Sequence, residues 1–359
     1  MRVRLAAMVA GGLLLLLGCS APSDPARAPS AAAPQAAAVA AEPQPTPAGA
    51  PLRKVRMAYG FATAEALPMW VALEQGLYAK YGLDVDTVLM QSSAQIAPAM
   101  AAGEVDVALS AGAGVVEIGL AGGDQVIVAS QTNLMRFFLH ARPEIRRVED
   151  LRGQRVAITR LGSGIHLATT IVLERAGLDP SRDVILLQTG ASDAPLTALV
   201  SGAADAGMMA DPTNFFAERQ GFPQLVSLTD YQIPFSQGAL AVSRSTLESR
   251  YELVRDFVRG HVEAIGMGKR DPALAKRLLA KYTQNDDPDL VDRSYQVWVS
   301  ALEERAYPSV AAVQTVLDQR AAENPAARTA NPRDFVDERI LRELEASGFL
   351  QPALAGASQ

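Results

Sequence analysis

A single cysteine, Cys19, stands in the 359 residues, so the chain can form neither an internal disulfide nor a cysteine-based metal site. Its three histidines, His140, His166 and His261, lie too far apart for metal-ligand spacing. There is no His-Glu-x-x-His pair, no phosphate loop ending in Gly-Lys-Ser/Thr and no Gly-x-Ser-x-Gly elbow. The pieces Gly112-Ala113-Gly114 and Gly162-Ser163-Gly164 lack the third glycine of a dinucleotide fingerprint. No catalytic set, cofactor or metal is therefore expected, and the reading is of a protein that is not an enzyme. Positive charge is also in short supply. The formal net charge is −6, a balance that argues against nucleic acid as a partner.

Past residue 19 no apolar run is long enough to cross a bilayer. The first residues instead give a positive start (Arg2, Arg4), an apolar stretch over 6–17, and Gly18 directly before Cys19. That is an export signal, and the cysteine after a small residue resembles a bacterial lipobox, with Leu17 a less usual residue in it. Residues 1–19 are expected to be a signal peptide ending in lipidation at Cys19; the alternative is a secreted protein cleaved near Ala21. Loss of Arg2 and Arg4 would leave a charge of about −8. Residues 20–52, almost entirely Ala, Pro, Ser, Gln and Gly, cannot bury enough apolar surface to order themselves and form a tether. The expected picture is a monomer held by lipid on the outer side of a membrane in a bacterial cell envelope.

The body of the chain repeats itself. A strand, helix, strand, helix and strand over residues 55–109, with Gly103-Glu104-Val105-Asp106 before the last strand, recur over 155–209, with Gly202-Ala203-Ala204-Asp205 in the same place. Two α/β units of one topology predict two lobes, each a mixed sheet flanked by helices, facing each other across a gap. The first lobe is expected over 53–139 plus 238–350, where the strand at 239–243 returns and long helices follow. The second is expected over 140–237. Asp106 and Asp205, the matched acids, read as turn caps and evidence of fold.

The candidate site is the set of loops at equivalent places in the two halves. Those are Gly60-Phe61-Ala62-Thr63, Gln91-Ser92 and Ser110-Ala111 in the first, and Leu161-Gly162-Ser163-Gly164-Ile165, the loop after residue 188 and Asp211 in the second. The sharpest is 161–165, where glycines flank Ser163 and the free N–H groups of a helix start favour a negative group. Arg136, Arg160 and His166 lie near enough in sequence to take part, and Phe61 and Phe215 suit an apolar wall.

Several segments resemble the periplasmic substrate-binding proteins of nitrate, sulfonate and taurine ABC transporters, within the thiamine-pyrimidine-binding superfamily. These are Pro68-Met69-Trp70-Val71-Ala72-Leu73-Glu74-Gln75-Gly76-Leu77-Tyr78 with Tyr81-Gly82-Leu83-Asp84-Val85, then Ala102-Gly103-Glu104-Val105-Asp106, Asp150-Leu151-Arg152-Gly153-Gln154-Arg155, and Gly177-Leu178-Asp179-Pro180. The resemblance implies a type II periplasmic binding protein fold. It also implies a receptor that closes on a small solute and docks on the permease subunits of an ABC importer, and it places ligand contacts at the Gly-Ser region 162–164. The solute expected is a small anionic organic molecule of the sulfonate, nitrate or carboxylate class. Two alternatives stay open: a neutral or aromatic ligand of pyrimidine type, and a ligand-sensing subunit of a membrane signalling system. The enzymatic branch that uses a cysteine-rich motif is excluded by the lone Cys19.

Overall fold

The computed structural model describes residues 51–90 and 93–355. Cys19, the expected signal segment and residues 20–50 of the tether lie outside the described residues, as do Gln91 and Ser92.

Strands β1 (Arg53–Tyr59), β2 (Leu83–Leu89), β3 (Val107–Ser110), β4 (Gln125–Ser130) and β5 (Phe138–Ala141) come first in the chain. They are followed by β6 (Arg155–Ile158), β7 (Ile185–Gln188), β8 (Ala206–Met209), β9 (Gln224–Ser227) and β10 (Ala239–Ser243). They form two five-stranded sheets, in the orders β2-β1-β3-β10-β4 and β7-β6-β8-β5-β9. In each sheet the first three strands run parallel and the fourth is antiparallel to both its neighbours. That fourth strand is supplied by chain arriving from the other half. Residues 131–137 lead out of β4 into β5, and residues 233–238 lead back into β10. The two segments run beside each other and hydrogen-bond in antiparallel fashion, Met135 to Ile233, Phe235 to Asn133 and Gln237 to Thr132. The change of sheet begins at Phe138, two residues before the boundary expected from the repeat.

The internal likeness extends to charge. Asp106 accepts from the Arg56 backbone N–H at 2.9 Å and from its guanidinium at 3.2 Å, while Arg56 also donates to the Gly103 carbonyl. Asp205 does the same with Arg155, at 3.0 Å to the backbone and 2.9 Å to the guanidinium, and Arg155 donates to Gly202. Each matched acid therefore ties the start of a third strand to the first strand beside it. These hydrogen bonds hold the Asp205 carboxyl down at about 2.

Helices α1 (Leu67–Glu74), α2 (Leu77–Lys80), α3 (Ser93–Ala101) and α4 (Ala113–Leu120) pack on the first sheet, and α5 (Gly164–Arg175), α6 (Ala194–Val200) and α7 (Thr213–Arg219) on the second. The remaining chain is α8 (Arg244–Ser249), α9 (Tyr251–Arg270), α10 (Pro272–Thr283), α11 (Pro288–Ala301), α12 (Val310–Arg320), α13 (Arg339–Ala346) and α14 (Leu350–Leu354). Helical chain is interrupted at Gln75-Gly76, at Arg250 and between Phe335 and Arg339. In α9 the residues Leu253, Val254, Phe257, Val258, Val262 and Ile265 recur at three- and four-residue spacing and are all buried. Each contributes about 1.5–3 kcal/mol by leaving water. They join Trp70, which stacks on Tyr282 at 4.8 Å, in a core on one face of the first sheet. Among the described residues no helix is long and apolar enough to cross a membrane.

A second core runs across both sheets, from Ile96 and Val115 through Phe137 and Phe235 to Ile165 and Ile171. Val313, Val316 and Leu317 of α12 belong to it. This helix packs on α4 of the first half and on α5 of the second. Its apolar residues complete a surface that neither half covers alone.

Candidate functional site

Because β1 and β3 run parallel, and β6, β7 and β8 do likewise, the loops at their carboxyl ends gather on one side of each sheet. They meet around a cavity of about 60 Å³, room for about two waters at their liquid volume. From the first half come Gly60, Phe61, Thr63, Glu65, Ser93 and Ala111, and from the second Thr159, Ser163, Gly164, Ile165, Ser192, Ala210 and Thr213. Phe137 and Gln237, one from each crossing segment, close the back.

Local rules explain how the polar groups are held. The Thr63 hydroxyl caps the turn that follows β1, accepting the Glu65 N–H at 3.3 Å. Ser163 caps α5, its Oγ accepting the His166 N–H at 3.2 Å and pairing with the Thr159 hydroxyl at 2.8 Å. The halves come very close here. A Cβ on Gly164 would lie 3.0 Å from Phe235 Cζ and 3.1 Å from Ala111 Cβ, so any side chain here would press on both neighbours where α5 starts against the first half.

Of the residues singled out in the sequence, Phe61, Thr63, Ala111, Ser163, Gly164 and Ile165 lie together on the lining. Ser110 ends β3 in the interior, with its hydroxyl 3.5 Å from the Ala111 carbonyl, and stays off the lining. Leu161 is 53% exposed and, with Gly162, faces an outer groove shared with His166, Arg320 and Glu323. The positive φ of Gly162, +77°, turns this end of the loop outward. His166 is held there as an acceptor, its Nδ1 receiving the Gly162 N–H at 3.1 Å, and burial beside Arg320 lowers it to about 4. It does not reach the cavity. Arg160 lies on another surface hollow beside Gly190; with the Gln95 amide oxygen turned toward it, Nη2 and Nε stand 2.8 and 3.1 Å away. Phe215 lies under the Arg293 guanidinium at 3.9 Å, away from the lining.

Arg136 and Asp211 are buried, each about 3% exposed, and they face each other. Arg136 Nη2 donates to Asp211 Oδ1 at 3.0 Å, and Nη1 donates to Glu65 Oε1 at 2.9 Å. Arg136, one of the arginines near enough in sequence to take part, is thus occupied by two carboxylates of the chain. Its backbone is clasped by Gln237, whose side chain accepts the Arg136 N–H at 2.8 Å and donates to its carbonyl at 3.0 Å. Glu65 Oε2 accepts from Gln131 Nε2 at 3.0 Å and from Thr132 Oγ1 at 2.9 Å, and Gln131 reaches on to His261. Burial pushes the Glu65 carboxyl up, against the pull of Arg136 and these donors. Glu65 is the only charged side chain among the described residues that line the cavity.

Sequence reasoning missed Glu65, Thr159, Phe137, Thr213 and Gln237. Phe137 and Gln237 sit in crossing segments that carry no periodic signal, and Glu65 lies in an alanine-rich stretch that reads as an exposed turn. Among the described residues no group of His, Cys, Asp and Glu is arranged to hold a metal.

The NMT1/THI5-like family model matches residues 63–275, and the chain belongs to that family. No curated protein matches the chain. Among solved structures it is similar to the alkanesulfonate-binding protein SsuA from Xanthomonas axonopodis pv. citri, bound to MOPS, at 20% identity over 80% of this chain and 99% of that one, with a TM-score of 0.69. It is similar to the periplasmic nitrate-binding protein NrtA from Synechocystis PCC 6803 at 15% identity, 87% and 92% coverage and a TM-score of 0.69. The periplasmic aliphatic sulphonate binding protein SsuA from Escherichia coli matches at 21% identity, 82% and 100% coverage and a TM-score of 0.63. The fold is that of the periplasmic binding proteins, two mixed sheets flanked by helices.

Proposed function

We propose that this chain is the solute-binding receptor of an ABC importer, tethered by lipid at Cys19 outside the cytoplasmic membrane, and that it captures a small organic molecule between two lobes. One observation carries the reading: loops from equivalent places in two like-wound halves converge on a single small cavity lined by hydroxyls, helix starts and two phenylalanines. The periplasmic proteins of similar fold support the location and the importer. The first lobe is built on β1–β4 and β10, the second on β5–β9, and residues 131–137 and 233–238 are the hinge. A solute touching Thr63 on one side and the Ser163–Ile165 turn on the other favours the closed arrangement, because only a ligand with contacts in both lobes shifts that equilibrium. The N–H groups that open α5 receive acceptor atoms of the solute. The permease reads the closed form.

The test is thermal unfolding of the full chain against sulfonates, nitrate, carboxylates, pyrimidines, aromatic acids and organic amines. A solute bound only by the folded form raises the melting temperature. A panel in which no class does so contradicts the receptor reading.

A further inference from the structure

Resting on that receptor reading, we propose that the solute carries a positively charged nitrogen, an ammonium or amidinium group, which sits against Glu65. Glu65, Arg136 and Asp211 form a closed set of two carboxylates and one guanidinium, all buried, and carry one net negative charge when ionised. Among the described residues on the lining there is no arginine, lysine or histidine to balance it. Asp211 Oδ2 is buried without a hydrogen-bond partner, and its neighbours Ala210 and Thr213 are on the cavity wall. A carboxylate offers about four acceptor positions, and Glu65 fills three, with Arg136, Gln131 and Thr132. One is left for a donor from the cavity.

The segment that passes behind Glu65 leaves it no other course. A Cβ on Gly238 would lie 2.5 Å from Glu65 Oε2, so the carboxylate is hemmed in on that side. With Glu65 ionised, a simple anion entering the cavity would meet a like charge on its wall, where burial of the carboxylate leaves the repulsion little screened. The helix starts offer only partial positive charge and bind acceptor atoms without reversing that balance. A cationic nitrogen supplies the charge the buried set lacks and the donor its open position accepts. The small cavity suits a compact head group.

The experiment is thermal unfolding and calorimetric titration of the full-length chain with ethanolammonium, methylammonium and acetamidinium chlorides. Sodium nitrate, methanesulfonate and acetate are run beside them at equal ionic strength. At least one cation is expected to raise the melting temperature by about 5 °C at about 100-fold excess over its Kd. Glu65→Gln should weaken that cation by about 10- to 100-fold, and circular dichroism reports whether the variant is folded. If nitrate or methanesulfonate stabilises the protein and no cation does, the inference is overturned while the receptor reading stands. If a cation binds folded Glu65→Gln as tightly as wild type, the assignment to Glu65 is overturned. If none of these and no class of the wider panel binds, both readings fall.

Discussion

Replacing Arg136 by Met tests whether the buried triad holds the two halves together. The substitution keeps most of the side-chain volume but removes the guanidinium that bridges Glu65 and Asp211 at 2.9 and 3.0 Å. Breaking a buried pair by deleting one partner costs about 3–5 kcal/mol, because the remaining charge is left uncompensated. At about 2–4 °C per kcal/mol, the melting temperature should fall by roughly 6–20 °C at neutral pH. Burial already raises the Glu65 carboxyl, and without Arg136 it rises further, so the folded variant prefers its protonated form. A carboxyl raised above its unfolded value of about 4 favours the fold fully below that value and loses the contribution as pH climbs through the folded value. The deficit relative to wild type should therefore be smallest near pH 4 and grow toward pH 8. Urea unfolding of both proteins across that range reads it directly. Adding Glu65→Gln to Arg136→Met should recover part of the loss by removing one stranded charge. A deficit under about 1 kcal/mol, or one of the same size at pH 4 and pH 8, would refute the assignment of these groups as a charge-coupled set.

Ser163→Ala removes the cap of α5 and should cost about 1 kcal/mol of stability, together with weaker binding of whichever solute the panel identifies; unchanged affinity in calorimetry counts against the helix-start contact. Gly164→Val sets a side chain against Phe235 and Ala111 and should cost about 1–3 kcal/mol while abolishing solute binding in a folded protein, read by chemical denaturation and titration. His166, lowered to about 4 by burial, stays neutral in the fold, so its contribution is present above about 6.5 and is lost as pH falls through about 4. His166→Gln should accordingly flatten the acid limb of the stability curve, and an acid limb identical to wild type would contradict the burial.

The repeat made the parallel portions of both sheets readable, because a strand, a helix and a second strand leave period and punctuation in the sequence. The antiparallel fourth and fifth strands were harder. β5 and β9 are four residues each and acquire their identity only from partners supplied across the hinge. The place of α12 was hidden for a related reason: Val313, Val316 and Leu317 mark an apolar face, but which surfaces it covers is a tertiary fact. At the site, cap chemistry revealed Thr63 and Ser163, whose short-range hydrogen bonds are written in local sequence. Glu65 and Arg136 were not legible as partners, since 71 residues separate them and a buried ion pair has no local signature. For the same reason the 161–165 turn could be read from sequence as an anion site without sight of the Glu65 carboxylate across the cavity.

The most direct test of the account is a crystal structure of the protein grown with the solute that most raises its melting temperature. Density for that solute is expected between Thr63 and Glu65 on one side and Ser163–Ile165 on the other, with a nitrogen within hydrogen-bonding reach of the Glu65 carboxylate. Density in the outer groove beside His166 and Arg320, with the inner cavity holding only water, would contradict it.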